Sequence, residues 1–91
     1  MDRQRLETEL AAAFDAEGET LRAISRQARD LADSGRIEAD LGHELTAAVI
    51  VDNLRDAPDD HTAVERWNWW LGSLDLSHGG YQRFRVRPDL A

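Results

Sequence analysis

The chain has 91 residues, 18 of them acidic against 11 Lys or Arg, for a formal net charge of −7, and no cysteine. That length leaves no room for two independent cores, and no apolar run approaches the roughly 20 residues a membrane span requires; one small soluble cytoplasmic domain is expected, with neither signal peptide nor anchor. The missing cysteines exclude disulfides and thiolate metal sites.

Residues 3 to 33 carry the clearest period. Leu6, Leu10, Ala13, Phe14, Leu21, Ile24, Ala28 and Leu31 recur at spacings of three and four, which places them on one helical face. The register runs through Gly18, so one long helix is expected, with a break near Glu17-Gly18-Glu19-Thr20 as the alternative. Gly35 supplies a left-handed stop.

A second helix is expected over residues 36 to 56. Ile37, Leu41, Leu45, Ala48 and Val49 share one face, whereas Ala47, Ile50 and Leu54 fall on the opposite one. Such a helix has to be covered on two sides, by the other helices or by a second subunit. Pro58 turns the residue before it away from helical angles.

Thr62-Ala63-Val64-Glu65 reads as a capping box opening a third helix, over residues 60 to 76. Ala63, Val64, Trp67, Trp70, Leu71 and Leu74 share its face, and Trp69 and Leu76 do not. After Gly79-Gly80, residues 81 to 87 alternate apolar side chains with Arg and are expected to be extended, up to Pro88 and a frayed end. The fold expected is all-α: a three-helix antiparallel bundle with a long first helix and a short extended C-terminal tail (79 to 91), all one domain.

Four groups of residues invite a functional reading. Asp40-Leu41-Gly42-His43 and Asp75-Leu76-Ser77-His78 are both Asp-x-x-His, and carboxylate and imidazole three apart on a helix face the same way, as bundle metal sites require. Glu17 and Asp52 sit on otherwise apolar stripes and could join them. Against this, carboxylate-bridged bundles use Glu-x-x-His from four helices, and pairing of Glu17 and Asp52 with Arg, or exposure at a helix edge, is the simpler account.

Trp67 and Trp70 read as core, while Trp69, with Leu76 two turns on, reads as a contact surface shared with Ile50 and Leu54. Tyr81, Arg83, Phe84, Arg85 and Arg87 have the composition of a single-strand nucleic-acid contact. Yet residues 79 to 91 hold three Arg and one Asp, net +2, on a body of eight Arg and 17 acids, net −9. A body that negative repels phosphate, so nucleic acid is not the expected partner, and docking of the tail on the acidic helices of its own chain or of a second copy is. No nucleophile motif, phosphate-cradling loop or paired-His spacing points to an enzyme, and no cofactor is expected.

All 11 basic residues are Arg and Asp outnumbers Glu. This balance favours a salt-adapted organism over a GC-rich mesophile, and stability is expected to rise with salt as charge is screened. Together with the run Trp69-Trp70-Leu71-Gly72-Ser73-Leu74-Asp75, it resembles short helical proteins of unknown function found in archaea, particularly halophilic ones. In one such family the last helix carries an aromatic stretch followed by Gly-x-Leu-Asp, and the resemblance implies a helical bundle without an assigned activity. The expected role is a non-enzymatic interaction or regulatory module acting as a homodimer, with a metal-binding bundle as the alternative and a nucleic-acid contact third.

Overall fold

A continuous helix over residues 3 to 33 would be about 46 Å long at 1.5 Å per residue, whereas the longest dimension of the protein is 30 Å. The chain folds back instead. In the computed structural model, which describes residues 1–87, the first predicted helix is two: α1 (Arg3–Phe14) and α2 (Gly18–Ser34). Asp15 takes a left-handed conformation at φ 56° and its amide closes α1 onto the Ala11 carbonyl at 3.1 Å. Gly18 then restarts the helix, also at positive φ. Ala13 is exposed, and the buried positions are Leu6 and Leu10 on α1 with Ile24, Ser25, Ala28 and Leu31 on α2. Three connecting residues happen to keep the hydrophobic phase, which is why the period alone reads as one rod.

The second predicted helix is also two pieces. Gly35 stops α2 at φ 74° and starts α3 (Arg36–Leu41) directly; Gly42, at φ 78°, stops α3. At the end of a five-residue connection the Thr46 hydroxyl accepts the Val49 amide at 3.2 Å and opens α4 (Ala47–Arg55). Ile37 on α3 and Ala47, Ile50, Val51 and Leu54 on α4 are all buried, as is Leu45 between them. Two short helices deliver to one core most of the two faces that a straight helix would have pointed apart: Leu41 and Val49 are half-buried against it, and only Ala48 of the expected positions is exposed. The need for a second subunit to cover Ile50 and Leu54 therefore disappears: both are fully buried within one chain.

The third predicted helix is observed as α5 (Ala63–His78), and its capping box is complete: Thr62 Oγ1 accepts the Glu65 amide at 3.2 Å, and the Thr62 amide donates to Glu65 Oε1 at 2.8 Å. The Thr62 amide, and after it the Thr62 side chain, hold the Glu65 carboxyl below its ordinary pKa. Ala63, Val64, Trp67, Trp70, Leu71 and Leu74 are buried, as their spacing predicts, and Asn68 joins them. α1 packs on α2 and α4, and α5 packs on α4 and α2. Arg66 ties the corner: Nε donates to the His61 carbonyl at 3.0 Å, Nη1 to Leu54 at 3.0 Å and Nη2 to Asp59 at 3.2 Å. Its guanidinium carbon lies 4.8 Å from the centroid of Phe14.

The tail is not uniformly extended. Gln82–Phe84 forms a 3-10 turn before the backbone extends at Arg85. The expected alternation survives: Phe84 and Val86 are buried, and Arg83, Arg85 and Arg87 face solvent. Pro88 and the frayed end expected after it lie outside the described residues.

Candidate functional site

α5 presents two unlike sides. On its inner side, Trp67 Nε1 donates to the Phe84 carbonyl at 2.9 Å. One position on, the Asn68 carboxamide spans Val86: Nδ2 donates to its carbonyl at 2.7 Å, and Oδ1 accepts its amide at 2.9 Å. A primary amide offers a donor and an acceptor side by side, as a peptide unit does, so Asn68 pairs with the tail backbone as a neighbouring strand would. All these bonds are buried, where losing one partner strands the other without water. Trp70 backs the arrangement with its ring edge-on to Trp67, centroids 5.7 Å apart.

A second anchor holds the start of the tail. Tyr81 is fully buried, and its hydroxyl donates to Asp40 Oδ2 at 2.7 Å. Its amide donates to Asp75 Oδ1 at 3.0 Å, and the Gln82 side chain donates to Asp75 Oδ2 at 3.0 Å. Arg36 reaches Asp40 at 3.7 Å, donates to the Gly79 carbonyl and lies over the Tyr81 ring, 5.1 Å from its centroid. Burial, and after it the Asp40 hydrogen bond and charge, push the Tyr81 phenol up to about 12, with Arg36 opposing. The Gln82 side chain and then the Tyr81 amide hold Asp75 below the usual carboxylate range.

These contacts redistribute the expected metal set. The two Asp-x-x-His segments do converge, but on Tyr81: Asp40 holds its hydroxyl and Asp75 its amide. Their histidines stay outside this anchor. His43 is exposed, with Nδ1 3.1 Å from the Glu44 carbonyl oxygen, and His78 is exposed, its ring tilted 6.5 Å from that of Tyr81. Glu17 is exposed in the turn between α1 and α2, and Asp52 is exposed on α4, so neither carboxylate is buried on an apolar stripe. Among the described residues no three His, Asp or Glu side chains group as a metal site requires. The expected nucleic-acid contact divides similarly: Arg83, Arg85 and Arg87 are exposed, but Tyr81 and Phe84 turn their rings into the core and offer no face for a base to stack on.

On the outer side of α5, Leu76 is 91% exposed and Trp69 39%. They are seven residues apart, two turns on one face, with half-buried Gly72 and exposed Ser73 between them. Of the four expected interface residues, this pair lies at the surface and Ile50 and Leu54 do not. Sequence reasoning passed over Asn68 and Arg36. The available signals were an Asn on a buried helical face and an Arg four residues before Asp40.

No helix among the described residues is long and apolar enough to cross a membrane. No curated protein and no solved structure matches the chain. Residues 1–75 match the WNWW domain, a label that spells out Trp67-Asn68-Trp69-Trp70 as they stand in α5. The matched region takes in α1 to α4 and most of α5, and with it the Trp69 to Asp75 run; on that match, the chain belongs to the WNWW domain family.

Proposed function

We propose that this protein is a non-enzymatic interaction module that pairs with a second copy of itself through the outer side of α5. The observation that carries the reading is the exposure of Leu76 at 91% beside Trp69 at 39%, where the other large apolar side chains among the described residues, Met1 apart, are buried or partly buried. The stripe Trp69, Gly72, Ser73, Leu76 is also its own reverse: large, small, small, large. Two α5 helices crossing antiparallel at Gly72 and Ser73 would set Trp69 of each copy against Leu76 of the other, the self-complementarity that a two-fold interface demands. Small residues at the crossing let the backbones approach while the large ones fill the flanks.

A single helix pair buries little, which puts the dimer at the weak end of specific interfaces, with dissociation on the order of micromolar. Net charge of −7 on each copy adds repulsion at low salt. Sedimentation across the micromolar range in molar KCl tests the reading. The native chain is expected to pass from monomer to dimer, and Trp69→Ser with Leu76→Glu to remain monomeric; a native chain that stays monomeric throughout removes the proposal.

A further inference from the structure

A hollow of about 300 Å³ lies where the turn between α1 and α2 meets the start of α5. Two alanines leave it open: Ala16 in the turn and Ala63 at the first position of α5 both line it, where longer side chains would fill the space. With Val64 they make a buried apolar floor, and half-buried Phe14 supplies an apolar wall. The lip is anionic. Asp15 and Glu17 stand there exposed, and among the described residues neither carboxylate belongs to an ion pair. Glu17 holds the N-cap position of α2 without a side-chain capping bond, so its carboxylate is left at the lip. Arg66 lies over the Phe14 ring, but its guanidinium is committed to three main-chain oxygens.

Floor and lip together select an apolar group carried beside a positive charge. An anion would meet two like charges, and a wholly apolar ligand would cover the carboxylates without pairing them. The volume, about 300 Å³, is at the lower bound of small-molecule pockets and suits a single side chain of an extended segment. We propose that this hollow docks a basic segment of a partner protein: one aliphatic side chain of leucine or methionine size enters it, while a neighbouring arginine or lysine pairs with Asp15 and Glu17. Neither Trp69 nor Leu76 lines the hollow, so the inference stands apart from the α5 pairing.

The test titrates isotope-labelled full-length chain at low salt with three capped tripeptides, acetyl-Arg-Leu-Arg-amide, acetyl-Arg-Ala-Arg-amide and acetyl-Glu-Leu-Glu-amide, and follows amide shifts. The Arg-Leu-Arg peptide is expected to move the resonances of Phe14, Ala16, Thr20 and Val64, with dissociation on the order of millimolar. Arg-Ala-Arg should bind roughly tenfold more weakly for want of the buried side chain, and Glu-Leu-Glu should not bind. Asp15→Asn combined with Glu17→Gln should weaken Arg-Leu-Arg by roughly threefold to fivefold; asparagine tolerates the left-handed angles of position 15, so the turn is kept. No shifts at the hollow through the millimolar range, an equal response to all three peptides, or unchanged affinity in the double variant overturns the inference. Shifts at Phe14 and Thr20 that grow with the concentration of the native chain alone would put a second copy in the hollow, and overturn it as well.

Discussion

Trp67 and Trp69 are two residues apart, and the two sides of α5 they occupy show how position about a helix axis decides what an indole does. Trp67 is fully buried with its N–H committed to the Phe84 carbonyl; Trp69 is 39% exposed. The inner side is specified by directional bonds to one segment of backbone, and the outer side by shape and apolar area alone. Inner substitutions should therefore act on folding, and outer ones on association.

The largest expected effect is at the centre of the inner side. Trp67→Ala removes the biggest fully buried side chain and should cost about 3–5 kcal/mol in urea unfolding, a large part of the roughly 5–15 kcal/mol that holds a small domain. Asn68→Ala leaves the Val86 amide and carbonyl unmet and should cost about 2–4 kcal/mol; equal stability of the two proteins would mean that water reaches Val86 and the clamp is not closed. Tyr81→Phe deletes one hydrogen bond and should cost about 1 kcal/mol.

The same tyrosine sets an alkaline limit. Because its folded pKa, about 12, lies above the ordinary value of 10.0, the stability it adds is fully present below pH 10 and is lost as pH rises through 12. Tyr81→Phe should flatten that decline in a pH series. Asp75 acts at the other end: its pKa is depressed from 3.8, so its contribution is present above that value and lost as pH falls through the folded pKa, a loss that Asp75→Asn should remove. The smallest effects on folding are expected outside, where Trp69→Ser and Leu76→Glu should change monomer stability by about 0.5 kcal/mol or less. A loss of stability there as large as at Asn68 would erase the distinction between the two sides.

How much of this could be read in advance varied with how local the cause was. The start of α5 was legible because Thr62 and Glu65 satisfy each other within one turn, and the buried face of α5 because its period is continuous. The break at 15–17 was legible only as the alternative that Gly18 offers, since a three-residue turn preserved the phase of the apolar positions. The break at 42–46 left local marks, a left-handed Gly42 and a capping Thr46, but apolar positions on two sides of the stretch from Leu45 to Leu54 outweighed them. Asn68 and the Asp40/Asp75 pair depend on partners far along the chain: Val86 lies 18 residues from Asn68 and Tyr81 41 residues from Asp40. Spacing could show that the two carboxylates recur, but not that an aromatic hydroxyl and an amide lie between them.

The fork of Arg66 bears on the chain's preference for one cation. Its three donors reach three separate main-chain oxygens while its flat face rests by Phe14; a lysine, with one ammonium at the tip of a flexible stem, could not occupy those directions at once or stack in the same way. Whatever genomic or ionic pressure favours arginine elsewhere in the sequence, at this corner the choice is geometric, and a charge-preserving Arg66→Lys should loosen the junction of α4, α5 and α1.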